Sequence, residues 1–406
     1  MNTPFDRRMI LLMLTALINF IGVGILGPLT PALASRYGAD ALMIGLLATA
    51  YSAAQFIGVP TLGALSDRYG RRAILLLSLV GSAIGYIVFG IGGSLAVLFI
   101  GRVIEGLTNG NISTIFAYTA DITSREQRTR SFGMLSAAIG VGLISGPLLG
   151  GALAQYGVAV PIYVVGALSL LNALLAFFLL PESLPAERRS SEVRRINPIG
   201  QIQMVLGMAN IRRMIGGVFL SVTAMSILLS NLPVLMSEQF GWGSAQIANL
   251  YAIYGVAAVV TQVLILPRFL PLLGEIRLAI GGFVIAMIGY GAITLASGSG
   301  IAELSALSAV LLGIGNPLVA TSLGGQISKH VAANQQGQIQ GGNLALQTVG
   351  NVIGPIVGGW MFERLGAQAP YLNAMVIILL GITVIFPLIQ RQQAAVPAEA
   401  KALLSE

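Results

Sequence analysis

Two charged residues, Arg102 and Glu105, interrupt an otherwise apolar stretch of the sequence. They lie three positions apart and so share one face of a helix, which Asn109 and Ser113 continue at spacings of four. A charge at the centre of a membrane costs about 2.5–3.5 kcal/mol even on a mild insertion scale, so this face is expected to line a water-filled cavity. A carboxyl group between an apolar environment and a guanidinium is a candidate for reversible protonation. We predict that Glu105 carries protons and that Arg102 tunes it; the alternative is a static, stabilising ion pair.

Uncharged polar side chains recur in the other apolar stretches, where each needs a hydrogen-bond partner if lipid surrounds it. One such residue alone is more often a contact between helices than a ligand contact. Together they predict a cavity with polar but almost uncharged walls, to which aromatic residues add apolar surface. The candidate cavity residues are Asn19, Gln55, Asn109, Ser113, Phe116, Asn231, Tyr251, Asn316, Asn343 and Gln347.

The segment 63–72 combines glycines, an acid and arginines. Gly70 permits a tight turn, and Asp67 could complement the positive N-terminal end of a neighbouring helix. The arginines could pair with acids at other helix ends, and Asp121 is the expected partner. We predict a latch that holds two halves of the protein together on the cytoplasmic side; an ordinary basic loop is the alternative. The latch residues are Gly63, Asp67, Arg68, Gly70, Arg71, Arg72 and Asp121.

A run of small residues surrounds Pro147. Gly142, Gly146 and Gly150 are spaced by four and share one helix face, which lets another helix approach closely. Pro147 removes a backbone hydrogen bond and favours a bend. With Gly151, these residues predict a pliable, tightly packed helix at the seam between two halves; plain helix packing is the alternative.

The composition indicates which elements must carry these side chains. Of the 406 residues, 55% are hydrophobic and only 9% are charged, whereas a soluble domain carries about 25% charged residues. Lipid must therefore face much of the protein. The long unbroken apolar runs do not fit the alternating pattern of a barrel, so an all-α membrane protein is predicted. A spanning helix needs roughly 20 residues, and we place twelve spans at 9–31, 43–65, 74–93, 95–118, 132–153, 161–180, 212–236, 245–267, 277–297, 302–323, 338–361 and 371–389.

The basic residues predict the orientation. With the N-terminus inside, nineteen of the 22 lysine and arginine residues fall on the cytoplasmic side, which is the bias typical of membrane proteins. Both termini are then cytoplasmic, and the first apolar run is interpreted as a helix and not as a removed signal. Loops that face anionic lipid explain the net charge of +7, so no nucleic-acid partner is expected.

The chain is predicted to consist of two related halves. Gly146 and Gly354, each followed by proline, lie 208 residues apart in similar glycine-rich sequences, and Gly133 and Gly341 keep the same offset. Related halves around a midplane site are typical of transporters. The predicted parts are an N-terminal six-helix bundle (1–181), a cytoplasmic linker (182–211), a C-terminal six-helix bundle (212–390) and a cytoplasmic tail (391–406).

Other kinds of chemistry find little support in the sequence. The chain has no cysteine, a single histidine (His330), and no phosphate-binding glycine loop with its lysine. Neither a metal site nor an ATPase is therefore predicted, and no nucleophile–base pair supports an intramembrane enzyme. We expect no cofactor. The expected partners are a small-molecule substrate, protons and membrane lipid, and the protein is expected to function as a monomer.

Several of these motifs resemble those of one family. The loop at 63–72 is similar to the signature loop of the major facilitator superfamily, residues 101–106 resemble its fourth-helix motif, and the fifth span resembles the motif of its antiporters. Residues 118–123 and 337–341 are similar to tetracycline and multidrug proton antiporters. The resemblance covers nearly the whole chain. It implies two six-helix bundles, a cavity lined by spans 1, 4, 7 and 10, and a location in the bacterial inner membrane.

The resemblance stops short of one coupling scheme. Tetracycline exporters typically carry acids within spans 1, 3 and 9, where this chain has Asn19, Gly85 and Ala286. That departure leaves Glu105 as the candidate for coupling. Two functions stay open: proton-driven export of a drug-like or amphipathic molecule, and proton-coupled import or facilitated passage of a neutral solute such as a sugar. A membrane receptor is a third reading from another class.

Overall fold

The computed structural model describes residues 7–109, 111–190, 197–331 and 336–389. Within these ranges all regular structure is helical, and short 3-10 turns lie at Ser35–Tyr37 and Ala186–Arg188. A π-helical turn, Thr261–Ile265, leads from the tenth helix into the eleventh. The helices are α1 (Arg7–Ala34), α2 (Ala41–Tyr69), α3 (Arg71–Ile91), α4 (Leu95–Thr108), α5 (Asn111–Ile122), α6 (Arg125–Ala154), α7 (Val160–Leu179), α8 (Pro198–Gly207), α9 (Arg212–Phe240), α10 (Ser244–Val260), α11 (Leu266–Ser299), α12 (Glu303–Lys329), α13 (Gln336–Leu365) and α14 (Ala369–Ile385).

Twelve membrane spans account for thirteen of these helices. In the described part of the chain, nine continuous helical stretches are long and apolar enough to cross a membrane. One of them, Ser244–Ser299, contains two predicted spans, which meet at Gly274, where φ is 71°. α13 covers the eleventh predicted span, and α4 together with α5 covers the fourth. The predicted all-α fold of twelve membrane helices is confirmed.

The prediction of one continuous fourth helix is wrong. α4 ends at Thr108, and Asn109 has a non-helical backbone with φ −77° and ψ 38°. The Asn109 side chain instead bonds to residues of α1 and α2, as short amide side chains often do when they compete with helical hydrogen bonding. Ser113, on α5, therefore does not continue the face of Arg102 and Glu105.

The segment predicted to link the two halves contains a helix that the sequence analysis did not assign. α8 begins after Asn197, whose side chain accepts a hydrogen bond from the Gly200 N–H at 2.9 Å. α8 packs on α13, where a Cβ at Gly342 would lie 2.6 Å from Val205 and 2.7 Å from the carbonyl oxygen of Gln201. Residues 191–196 of the predicted linker and the predicted tail, 391–406, lie outside the described residues.

The small-residue faces of α6 and α13 pack in the same way, one in each half. A Cβ at Gly146 would lie 2.6 Å from the Ile21 carbonyl oxygen and 2.9 Å from the Gly24 Cα, so α6 and α1 touch backbone to backbone. At the matching position 208 residues later, a Cβ at Gly354 would lie 2.9 Å from the Thr223 carbonyl oxygen on α9. The duplicated glycine pattern thus builds two equivalent helix pairs, which is the pseudo-symmetry expected of the fold.

The halves meet along two seams, α2 against α13 and α6 against α10. A Cβ at Gly359 would lie 2.7 Å from the Ala41 carbonyl oxygen, and one at Gly151 would lie 2.8 Å from the Ala248 side chain. Towards the opposite end of α6, Gly133 and Gly140 face open space. The halves therefore press together at the end where α2 begins and separate towards the other end.

We expect Gly146→Ala to lower the stability of the protein. The added methyl group meets the backbone of α1, which cannot move as a side chain can, and overpacking of this kind costs about 1–3 kcal/mol. Gly140→Ala is the matched control because it adds the same group to the same helix in open space. Thermal unfolding in detergent measures both; equal Tm values for the two variants would contradict the packing described here.

Candidate functional site

A cavity of about 350 Å³ lies between the two halves. Its volume falls in the range that binds drug-sized molecules. The wall is formed by α1, α2, α4, α9 and α13, with Ile112 from α5. Its polar and charged members are Asn19, Thr30, Tyr51, Ser52, Gln55, Arg102, Asn109, Ser226, Ser230 and Asn351.

One tyrosine links the polar groups of three helices in this wall. The Tyr51 hydroxyl accepts hydrogen bonds from Asn109 Nδ2 and from Gln55 Nε2, the latter at 3.3 Å. Asn109 Oδ1 in turn accepts from Asn19 Nδ2 at 3.5 Å. Because α4 stops at Thr108, the Asn109 amide can reach both α1 and α2. The break in the fourth span therefore serves the cavity directly.

The charged pair predicted from the sequence forms at the same place. Arg102 Nη1 donates to Glu105 Oε2, and the guanidinium lies 4.2 Å from the centroid of the Tyr51 ring, within range of a cation–π interaction. Arg102 is 8% exposed and lines the cavity, whereas Glu105 is 2% exposed and lies behind it. The sequence predicted that both side chains line the cavity. In the structure only Arg102 does so, and the carboxylate is connected to the cavity through its arginine partner.

A glycine on α3 lets the backbone of Glu105 approach α3 closely. A Cβ at Gly85 would lie 2.9 Å from both the backbone nitrogen and the Cβ of Glu105. Tetracycline exporters were expected to carry an acid at this position. Here α4 packs so closely against Gly85 that a larger side chain would meet the Glu105 backbone. Among the described residues, Glu105 Oε1 and Arg102 Nε lack a hydrogen bond of normal geometry, although the Tyr86 hydroxyl on α3 lies close enough to interact with the carboxylate. Buried groups in this state are costly unless another species engages them, so the pair is suited to change partners.

Three of the ten candidate cavity residues lie in the cavity wall: Asn19, Gln55 and Asn109. Tyr51 was missed, although its position four residues before Gln55 puts both on one face of α2. A tyrosine in an apolar span is usually core packing, so only its partners reveal its role. Ser226, Ser230 and Asn351 were not predicted as cavity residues either.

The remaining seven candidates lie outside this cavity wall, so their role as cavity residues stays a prediction. On α5, Ser113 lies 3.8 Å from where a Cβ of Gly63 would be, and Phe116 packs edge-on against Phe132. Tyr251 lines a second, smaller cavity beside α12. The other four lie within or between helices. Asn231 donates to the Ile227 carbonyl, and Asn316 donates to Met225 Sδ. Asn343 is buried on α13, and Gln347 is half-buried there.

Spans 1, 4, 7 and 10 were expected to line the cavity, but the wall in this structure is formed by a partly different set of helices. α1, α4 and α9 do so, but α2 and α13 contribute the rest of the wall. α12, the tenth span, lines the second cavity through residues such as Ser305 and Ser308. Because α2 and α13 are in contact at one end of the molecule, the central parts of both helices lie beside the cavity and contribute to its wall.

The predicted latch residues come together at the end of the molecule opposite the seams. Arg71 pairs with Asp67 at 2.5 Å and with Asp121 at 3.3 Å, and it also donates to Ser66 Oγ at 2.6 Å. Gly70 has φ 101°, the turn geometry expected of it. The guanidinium of Arg68 lies over the Tyr69 ring, and Arg72 donates to the Phe177 carbonyl. The expected partnership with Asp121 is therefore present for Arg71.

A residue outside the motif performs the capping expected of Asp67. Glu182 accepts hydrogen bonds from the backbone N–H groups of Arg71 (2.9 Å) and Arg72 (3.3 Å), the first residues of α3. Ser183, which follows Glu182, donates to Asp121 at 3.1 Å. All of these contacts lie within residues 63–190. In this conformation the group fastens the start of the linker to the N-terminal half and does not bridge the halves.

The C-terminal half has a counterpart of this cluster with altered charges. The 208-residue offset carries Asp67 to Glu275 and Asp121 to Lys329. Glu275 pairs with Lys329 and accepts from Gln326 Nε2 at 3.0 Å. Both halves thus tie the turn between their second and third helices to the end of their fourth helix by an ion pair.

Comparison with known proteins identifies the family. The model of the Major Facilitator Superfamily matches residues 12–216 and 214–405. The chain is 30% identical to the class C tetracycline resistance protein of Escherichia coli, over 87% of this chain and 89% of that protein. It is also 30% identical to multidrug resistance protein 2 of Bacillus subtilis, over 93% and 94% of the two chains.

Solved structures share the fold. The human organic anion transporter MFSD10 (TETRAN) superposes with a TM-score of 0.72 at 23% identity, over 95% of this chain and all (100%) of that chain. A bacterial homologue of the human lysosomal transporter Spinster superposes with a TM-score of 0.75 at 17% identity, over 95% and 97% of the two chains.

We expect Glu182→Ala to loosen the start of the linker and to lower stability by about 1 kcal/mol, since it removes the carboxylate that caps α3. Trypsin cleavage at Arg188 and Arg189, followed with time, and Tm in detergent measure the two effects. Glu187→Ala is the control, because Glu187 is exposed in the same segment. Cleavage as slow in Glu182→Ala as in the unmodified protein would contradict the fastening role.

Proposed function

This chain belongs to the major facilitator superfamily, and from that membership we propose that it exports a drug-like or amphipathic small molecule in exchange for protons. Support comes from relatives named for tetracycline and multidrug resistance, which match the chain over most of its length. The single observation that carries the coupling is the buried Arg102–Glu105 pair beside the cavity. The same relatives favour export over the import of a neutral solute.

The proposed setting is the bacterial inner membrane, with both termini in the cytoplasm and the protein acting as a monomer surrounded by lipid. The concentration of arginine and lysine on one side of the predicted spans supports this orientation. With that orientation, the end where α2 begins is the outer one. The close seams there and the separation towards the other end then correspond to a conformation in which the cavity opens inward.

The cavity wall supports an uncharged or amphipathic cargo. Among its described residues Arg102 is the one with a formal charge, and Glu105 neutralises it from behind. Asn19, Gln55 and Asn109 offer amide groups, while Phe20 and Leu26 supply apolar surface. A phosphate ester or a dicarboxylate needs more positive charge than this wall provides. A few polar groups in an apolar wall fix the orientation of a drug-sized molecule.

The proposed mechanism is alternating access, in which the Arg102–Glu105 pair responds to binding of a proton. When Glu105 is ionised, Arg102 is held against it, as in this inward-opening conformation. A proton arriving from outside neutralises the carboxylate and releases the guanidinium towards the cavity, where Tyr51 and Asn109 lie beside it. The membrane potential adds about 2.3 kcal/mol per 100 mV for each charge moved, which is sufficient for modest uphill export.

We expect Glu105→Gln to abolish proton-driven export while cargo binding persists. Glutamine keeps the size of the side chain and an oxygen that can accept from Arg102, but it cannot exchange a proton. Uptake of cargo into everted vesicles with an imposed proton gradient measures transport, and equilibrium binding in detergent measures the cavity.

Glu303→Gln is the matched control for this experiment, since Glu303 is exposed at the start of α12. It should transport at the rate of the unmodified protein. Undiminished gradient-driven uptake by Glu105→Gln would remove the carboxyl group from the coupling mechanism, whereas loss of both binding and transport would reveal a structural role only.

A further inference from the structure

A carboxylate from one half caps a helix of the other half. Glu363, in the last turn of α13, accepts a hydrogen bond from the backbone N–H of Ala41, the first residue of α2, at 2.8 Å. The first N–H groups of a helix have no partner within the helix, and a negative charge is favourable there. This contact therefore stabilises α2 only while the two halves touch.

The start of α2 carries two caps of different origin. Asp40 belongs to the same half and accepts from the Met43 N–H at 2.7 Å, so it stays in place whatever the halves do. Glu363 reaches the neighbouring N–H from the opposite half. Opening at this end must leave the Ala41 N–H to water, while the Asp40 cap remains.

Glu363 lies at the outermost point of a continuous seam. One turn along α13, a Cβ at Gly359 would lie 2.7 Å from the Ala41 carbonyl oxygen. Further along, Gly45 meets the backbone of Pro355, and Thr49 Oγ1 donates to the Val352 carbonyl at 3.0 Å. These inner contacts consist of backbone packing and one hydroxyl hydrogen bond. Of the seam contacts described here, the one made by the Glu363 carboxylate carries a charge.

The α6–α10 seam, although related by pseudo-symmetry, lacks such a group among the described residues. The 208-residue offset places Gln155 at the position of Glu363. The start of α10 is capped from within its own half, since Gln246 Oε1 accepts from the Gly243 N–H at 2.9 Å. The close approach of Gly151 to Ala248 is shared with the first seam, but the capping carboxylate is not. Its presence at one seam is thus not a requirement of the packing.

We propose that Glu363 is a positioning residue that holds this end of the transporter closed, and that its bond to Ala41 breaks each time the cavity opens there. The inference concerns the opening of the cavity and is independent of the cargo and of protons. In the proposed orientation this end is the outer one, so Glu363 sets how often the empty transporter faces outward.

The absence of cysteine from the chain gives a direct test. Thr30 lines the cavity on α1 towards the closed end, and Thr30→Cys introduces a single thiol there. A membrane-impermeant quaternary-ammonium methanethiosulfonate, added outside intact cells, reports opening at that end. In this background we expect Glu363→Ala to raise the labelling rate about fivefold, the shift that corresponds to losing one N-terminal capping contact.

Two further variants separate the contact from the charge. Glu238→Ala removes an acid at the same end and in the same half as Glu363, close enough to interact with it electrostatically, and should leave the labelling rate unraised. Ala41→Pro removes the donor and keeps Glu363, at a position where proline suits the first turn of a helix. It should raise the rate as Glu363→Ala does, and it provides a second test should Glu363→Ala fold poorly.

An unchanged labelling rate in both Glu363→Ala and Ala41→Pro overturns the inference, and so does an equal rise in Glu238→Ala. The assay needs no added cargo and does not measure proton-driven transport. Its outcome is therefore separate from that of the export experiment.

Discussion

The cost of holding a charge inside the membrane explains most of what surrounds Arg102 and Glu105. Either charge alone is costly at that depth, and the pair is supported by the Tyr51 ring beneath the guanidinium and by the close approach of the Glu105 backbone that Gly85 permits. The fourth span then breaks at Asn109, whose amide joins the same group of side chains. The part of the cavity wall formed by α2 and α4 is thus built around this ion pair.

Close backbone packing provides the second constraint, and it serves both stability and movement. Gly150 and Gly151 are adjacent on α6, yet the first lies against α1 of its own half and the second against α10 of the other half. Gly358 and Gly359 repeat the arrangement with α9 and α2. One helix in each half therefore presents one small-residue face to a permanent neighbour and an adjoining face to a neighbour that must separate from it during transport.

The sequence predicted features that depend on local pattern. Spans follow from apolar runs, the related halves follow from the repeated Gly-Pro motif, and the ion pair follows from a three-residue spacing. Features that depend on distant partners were not predictable. Glu182 lies 111 residues from the N–H of Arg71 that it caps, and the Tyr51 hydroxyl bonds to Asn109 across two helices. Six polar candidates and Phe116 lie outside the cavity wall. A polar group in a span identifies neither its partner nor the direction in which it points.

The fastening of the linker at both ends limits how far the halves can separate at the end of the molecule opposite the seams. Ser190 donates its backbone N–H to the Asp67 carbonyl at 2.9 Å, and α8, which starts at Pro198, packs against α13. Seven virtual bonds separate Ser190 from Asn197, and a fully extended chain of that length reaches about 25 Å. The covalent connection therefore sets an upper limit on opening. While both attachments hold, Ser190 and Asn197 cannot move farther apart than that distance.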